Sequence, residues 1–275
     1  MLEIILDSIL DVAKLLPFLF LTYLFLEWLE HKANDKFIAT LENQKKLGPL
    51  VGSVLGVVPE CGFSSAASSL FETGIISAGT LVAVYLSTSD EMLPILIASP
   101  SGASQILPIL IVKIIVAVIA GMLLDCFYKK RKMDIEQFCK QEHCDCDNGI
   151  LKSAFLHLVK IAVWLLVITF LLNLIVHLIG MDTLSAFVSN HPSQAIIVST
   201  LVGMIPSCAS SILLSQLFLQ GVISFPAICA GLLANAGVGM LVLFRVNKNQ
   251  KENLFLVGYV WVISLISGLI LNIFF

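Results

Sequence analysis

Two cysteines in matching surroundings are the first residues in this chain that could do chemistry. One lies in Gly-Val-Val-Pro-Glu-Cys-Gly-Phe-Ser-Ser (56 to 65) and the other in Gly-Met-Ile-Pro-Ser-Cys (203 to 208), followed by Ala209, Ser210 and Ser211. Thiols beside a carboxylate, here Cys61, Cys208 and Glu60, suit a soft or borderline metal ion or a thiophilic metalloid. Ser64, Ser65, Ser210 and Ser211 can cap the free N–H groups of a helix that starts again after the proline. A tip of this kind could also hold a polar solute or a small anion. Cys229 could add a third sulfur, but a cysteine in an apolar helix ordinarily packs, and it is read as packing.

A second cluster is Leu-Ser-Thr-Ser-Asp-Glu-Met-Leu-Pro-Ile-Leu (86 to 96), which sets Asp90 and Glu91 halfway along an apolar segment. A charge at such a depth costs at least about 2.5 kcal/mol, so it is kept for a purpose or a partner. Asp90 is the first candidate for a metal ligand or proton carrier and Glu91 the second, since neighbours on a helix point in different directions. In the other half Asn235 corresponds to Thr88 and Gly237 to Asp90, an amide and a helix breaker in place of acid. Lys113 lies mid-segment with no acid near it in sequence, and Asp90 is its expected partner in a coupling pair. Lys14 and Lys160 are read as structural or snorkelling. Cys139, His143, Cys144, Cys146 and Asp147 crowd into one short stretch, a composition that captures metal loosely, although the paired Cys-x-x-Cys spacing of a closed zinc site is missing.

The elements that must hold these groups are apolar helices. Of 275 residues 58% are hydrophobic and 13% charged, with a mean hydropathy of +0.97, so several segments exceed the roughly 18 apolar residues that cross a bilayer. Spans are expected over about 4–28, 77–98, 106–127, 154–179, 222–244 and 254–275. The stretches 47–70 and 195–219, broken by Pro59 and Gly62 and by Pro206, remain. Lys32, Lys36, Lys45 and Lys46 lie in one polar loop, Lys129, Lys130, Arg131 and Lys132 in a second, and Arg245, Lys248 and Lys251 in a third. Basic loops stay cytosolic. An even number of crossings between the first two loops then requires 47–70 to turn back as a re-entrant hairpin. Counting both hairpin arms as spans is the alternative.

The halves are copies. Cys61 and Cys208 are 208 − 61 = 147 apart, and Gly56, Pro59, Ser64, Phe71, Gly74, Ser77 and Gly121 recur at the same offset as Gly203, Pro206, Ser211, Phe218, Gly221, Ser224 and Gly268. Three crossings per copy turn the second upside down. The expected fold is all-α: a polytopic membrane protein with an inverted-topology repeat, two broken or re-entrant helix hairpins and both termini outside. Repeat 1 covers 1–128, a cytosolic Cys/His-containing linker 129–152, and repeat 2 covers 153–275. The N-terminus has no basic region or cleavage site and reads as the first span.

Together these stretches resemble a heavy-metal exporter family whose members are described as arsenic efflux proteins or manganese transporters. The motifs at 56–65, 86–96, 143–146 and 203–208 carry the likeness, which covers essentially the whole chain. It implies a multi-pass permease of a prokaryotic inner (plasma) membrane, of ten spans if the hairpin arms are counted separately. Arsenite would use the thiols, and Mn2+ the carboxylates, carbonyls and imidazole.

The expected function is a secondary transporter that exports a metal ion or metalloid by alternating access at the helix breaks, with Asp90 and Lys113 as a proton-coupling pair. No Walker A pattern supplies an ATPase, and no cofactor is required beyond the transported ion. The partners are a small inorganic ion and the lipid bilayer. A homodimer is compatible with the sequence, and no basic run with interleaved aromatics suggests nucleic acid. An anion or lipid-phosphate carrier is the runner-up, weakened because the only arginines are Arg131 and Arg245. A membrane-embedded enzyme is the alternative of another class, but no histidine lies near either tip to activate a nucleophile.

Overall fold

Prolines, glycines and capping serines punctuate the apolar stretches, and the helices start and stop at them. In this computed structural model, which describes residues 47–58, 61–89, 92–99, 103–128 and 194–274 with scattered positions between 13 and 24 and between 158 and 171, all regular structure is helical. The first copy contributes α1 (Gly48–Gly56), α2 (Cys61–Glu72), α3 (Ala78–Ser87), α4 (Met92–Ala98) and α5 (Ala103–Phe127). The second contributes α6 (Ala195–Gly203), α7 (Cys208–Leu219), α8 (Phe225–Ala234), α9 (Gly239–Val246) and α10 (Gln250–Phe274). Each helix of the second set begins 147 residues after its counterpart. The first expected span, 4–28, and the fourth, 154–179, lie mostly outside the described residues, as does the linker 129–152.

Local chemistry accounts for several of these boundaries. Pro49 and Pro226 stand in the first turns of α1 and α8, where a missing N–H costs nothing. Ser77 caps α3 by accepting a bond from the Thr80 N–H at 3.1 Å. The turns after α2 and α7 each need a residue with φ near +74°, supplied by the matching glycines Gly74 and Gly221.

Helix α1 runs parallel to α3. A Cβ at Gly48 would meet the Thr80 side chain, one at Gly52 the Thr80 carbonyl and Val84, and one at Gly56 Val84 and Ser87, so the register ascends in both. The chain must therefore reverse between them, and α2 is the return. In the second copy a Cβ at Gly231 would touch Ser199, and one at Gly203 would touch Gly231 and Ala234, the same parallel course. Nine and twelve residues make arms of about 14 and 18 Å, too short to cross a hydrocarbon layer of about 30 Å.

Close packing repeats as faithfully as the sequence. Gly121 of α5 faces Pro49, Gly79 and Ala83, and Gly268 of α10 faces Ile196, Pro226 and Ala230, each residue displaced by 147. Between the copies, α2 packs on α9 and α7 packs on α4, an exchange of equivalent partners that marks a two-fold relation. Tyr128 donates to Glu252 Oε1 at 2.8 Å and Tyr259 to the Ala120 carbonyl at 3.0 Å, so the equivalent helices α5 and α10 are antiparallel.

Three bonds fix which ends share a face. Ser77 Oγ donates to Asp125 Oδ2 at 2.6 Å, the Gly79 N–H donates to Asp125 Oδ1 at 2.8 Å, and Tyr128 bonds to Glu252. The starts of α1 and α3, the end of α5 and the start of α10 thus lie on one side, the side from which all three basic loops depart. That agrees with the charge rule.

Among the described residues four segments, Ala78–Ala98, Ser104–Phe127, Phe225–Val246 and Gln250–Phe274, are long and apolar enough to cross a membrane. On α5 the outward stripe is Leu107, Ile111, Ile115 and Ile119, all exposed as lipid contact requires. The spans expected over 77–98 and 222–244 are each interrupted, the second at the helix breaker Gly237. Helix α3 stops at Ser87 and α8 at Ala234, where Asn235 is extended and Gly237 takes φ +58°. Around the first break the Ser87, Thr88 and Ser89 hydroxyls all bond to nearby carbonyls, the competition by which such residues favour helix ends.

The tightest glycine contact is testable. A Cβ at Gly203 would lie 2.0 Å from the Gly231 carbonyl, which cannot rotate away. Gly203→Val should cost about 1–3 kcal/mol, seen as a lower thermal midpoint in detergent. Gly258→Ala, with nothing within 4 Å, should leave the midpoint unchanged or slightly higher.

Candidate functional site

The breaks in α3–α4 and α8–α9 are where backbone polar groups come free inside an apolar protein. At the end of a helix the last four carbonyls have no partner within it, and they carry the negative end of the helix dipole. Thr88 closes α3, and Leu232 lies in the last turn of α8. Lys113, fully buried halfway along α5, donates its Nζ to the Thr88 carbonyl and, at 3.1 Å, to the Leu232 carbonyl. One amine therefore joins the broken helices of both copies.

The surrounding hydroxyls are turned onto their own backbone. Thr88 Oγ1 donates to the Val84 carbonyl at 2.7 Å, and Asn235 Oδ1 accepts from the Gly237 N–H at 2.9 Å. Thr88, Ser89 and Asn235 are all buried. The site is thus a closed polar knot whose carbonyl ends face a cation, the arrangement by which discontinuous helices hold positive charge.

A second knot locks the first hairpin to the other copy. Ser68 Oγ lies 2.8 Å from both the Ser64 and the Gly239 carbonyls and 2.7 Å from the Tyr85 hydroxyl, which itself reaches the Gly239 carbonyl at 3.1 Å. Gly239 is small because it lies against Ser64: an added Cβ would fall 2.6 Å from that of Ser64. Among the described residues the second copy has no equivalent lock. There Ser215 replaces Ser68, Leu232 replaces Tyr85, and the buried Ser215 Oγ has no partner among the described residues.

The residues singled out from the sequence divide as follows. Ser64 is fully buried on the first turn of α2 beside Gly239, and Asn235 sits in the second break. Cys208 is buried at the start of α7, behind Ser207, which caps the helix by accepting from the Ala209 N–H at 3.2 Å. Ser211 donates to the Cys208 carbonyl at 2.9 Å. Cys229 is fully buried in an apolar cluster with Leu213, Leu232 and Ile109, in keeping with a packing role. Glu60, Asp90, Glu91, Cys139, His143, Cys144, Cys146 and Asp147 lie outside the described residues, as does the side chain of Cys61. Among the described residues no three His, Cys, Asp or Glu side chains gather as a metal site would require.

Sequence reasoning missed Tyr85, Ser68 and the carbonyls of Thr88 and Leu232. Tyr85 carried one signal, a phenol three residues before a serine-rich break. The carbonyls carried none, since every residue has one.

A sequence model of a family described as "Putative, 10TM heavy-metal exporter" matches residues 1–187 and 168–275. No curated protein and no solved structure matches the chain.

The Ser68 knot predicts non-additive energetics. Tyr85→Phe and Ser68→Ala should each destabilise by about 1–2 kcal/mol, because each removes one of the two hydroxyl protons shared among the Ser64 and Gly239 carbonyls and the two hydroxyl oxygens. Since the two hydroxyls share the Gly239 carbonyl, the double variant should differ from the sum of the singles by at least about 0.5 kcal/mol in thermal or denaturant unfolding. Strict additivity would contradict the geometry.

Proposed function

The chain belongs to this heavy-metal exporter family, and from that premise we propose that it is a secondary carrier that expels a metal ion or metalloid of the Mn2+ or arsenite class. The family assignment makes it a metal transporter and a multi-pass membrane protein. The finer reading is our inference. It rests on one observation above the rest: carbonyl ends of broken helices from two antiparallel copies converge on one buried amine.

Two short arms that go out and back are well suited to re-entrant hairpins, and inverted copies meeting at broken helices are suited to alternating access, in which one copy rocks against the other around a fixed site. The family's description as an exporter supports reading the chain as a carrier and not an enzyme. The cargo site would lie between the hairpin tips and the two breaks. Cys61, Cys208 and Glu60 would supply soft or anionic ligands there, and Asp90, Glu91, Ser64, Ser211 and Asn235 oxygen ligands. Asp90 and Lys113 would couple cargo to protons. Cys139, His143, Cys144, Cys146 and Asp147 would gather metal on the basic, cytosolic side of a prokaryotic plasma membrane. A homodimer is compatible with this reading.

Flux in reconstituted vesicles tests it. Mn2+ and arsenite movement, with and without a pH gradient, is measured for the native chain, for Cys61→Ser/Cys208→Ser and for Asp90→Asn. If arsenite is the cargo, the double cysteine variant should lose at least about tenfold in rate, equivalent to about 1.4 kcal/mol of lost thiolate ligation. If Mn2+ is the cargo, Asp90→Asn should show that loss and the cysteine variant should not. Movement of neither ion, with native protein verified in the membrane, would refute this cargo assignment.

A further inference from the structure

The knot at Ser68 joins the two copies, yet each of its donors has a second acceptor inside its own copy. Ser68 Oγ reaches the Gly239 carbonyl across the seam at 2.8 Å and the Ser64 carbonyl of its own helix at the same distance. The Tyr85 hydroxyl reaches the Gly239 carbonyl at 3.1 Å and Ser68 Oγ, in its own copy, at 2.7 Å. If α9 moves away, Ser68 can donate to Ser64 and Tyr85 to Ser68. The Gly239 carbonyl, at the start of α9, still has the intrahelical N–H four residues on. Parting therefore leaves none of these buried groups without a partner, and the penalty that makes most buried bonds permanent does not arise. We propose that this knot is a releasable latch, and that the seam it holds between α2 and α9 is the door through which the carrier opens to the cytosol.

Position and packing support the assignment. Helix α2 returns toward the side of the basic loops, and α9 runs toward the same side, where α10 begins. Tyr85 lies three residues before Thr88, and Gly239 two residues after Gly237, so the latch sits just to the cytosolic side of both breaks. A door there would give cargo from the cytosol a direct way to the broken-helix ends. The seam closes tightly because its residues are small: a Cβ on Gly239 would fall 2.6 Å from that of Ser64. Beyond the latch, Ala67 and Phe71 of α2 and Leu243 of α9 are buried in one apolar cluster. The equivalent seam, between α7 and α4, faces the opposite side of the inverted frame and is built otherwise. Met92 stands there in place of Gly239 and Leu232 in place of Tyr85, both buried, and Ser215, in place of Ser68, has no partner among the described residues.

The inference rests on the carrier reading above, and its test needs no cargo. Leu243 on α9 and its counterpart Leu96 on α4 are both fully buried, one beside each seam. Leu243→Cys and Leu96→Cys are made separately in the full-length chain in membrane vesicles of known orientation. A membrane-impermeant maleimide is applied to the cytosolic face for the first and to the outer face for the second. The rate of alkylation at each position is read by peptide mass spectrometry, which sets the native cysteines apart. Adding Ser68→Ala with Tyr85→Phe should raise the rate at position 243 by at least about tenfold and leave that at position 96 unchanged or lower. Tyr85→Phe alone should act in the same direction and by less, and it decides the matter should the double variant not be recovered folded. No change at position 243, or an equal rise at both positions as general loosening would give, would overturn the proposal. A native protein without metal flux would defeat the exporter reading and leave this difference between the two seams in place.

Discussion

Backbone carbonyls set free inside an apolar protein must find a donor, and in this molecule a single lysine meets that need for both copies at once. An unpaired buried carbonyl costs about 1–3 kcal/mol, and water cannot be called on at bilayer depth. The other features follow from holding Lys113 in place. Gly121 lets α5 approach α1 and α3 closely, Asp125 ties the far end of α5 to the start of α3, and Tyr128 and Tyr259 bind α5 to α10. A helix fixed at several points along its length can present one side chain to two targets with little freedom to miss them.

The duplication provides a symmetric frame on which the chemistry is not symmetric. Lys113 has Val260 as its counterpart, and Tyr85 has Leu232. The first hairpin is bonded through Ser68 to Gly239 of the opposite copy, whereas the second presents Ser215, without a partner among the described residues, and packs through apolar contacts such as Leu213, Leu214 and Leu217. Side-chain size differs too. Between α1, α2 and α3 an apolar groove of about 500 Å³ opens beside Ala66 and Ala67, where the second copy has Leu213 and Leu214, both buried. Equivalent backbones thus carry unequal bonding and unequal filling.

Serine is the workhorse of this interior. Ser53, Ser87, Ser210 and Ser264 all donate back to carbonyls of their own helices, so they are hidden from an apolar neighbourhood without needing an outside partner. A helix lined with such residues keeps close contacts possible because the side chains are small. It also leaves hydroxyls that can turn outward where a partner appears, as Ser68 does.

The sequence by itself determined the class of the protein, the duplication, the offset and the places where helices must stop. These depend on one-dimensional properties: runs of apolar residues, a repeated spacing, and prolines and glycines whose backbone restrictions act locally. It also determined that the basic loops share a side, because charge placement and the parity of crossings are countable. The spans it suggested over 77–98 and 222–244 contain polar or helix-breaking residues at Ser87–Ser89 and Asn235–Gly237, and the structure places the interruptions there. Only the tertiary structure decided the partners of Lys113. Nothing local pairs a lysine with carbonyls 25 and 119 residues away in sequence; that pairing depends on which helices cross, at what depth, and which backbone groups the breaks release. The bond of Ser68 to Gly239 is of the same kind, arising where an arm of one copy lies against the broken helix of the other, a contact that exists only once both copies have folded together.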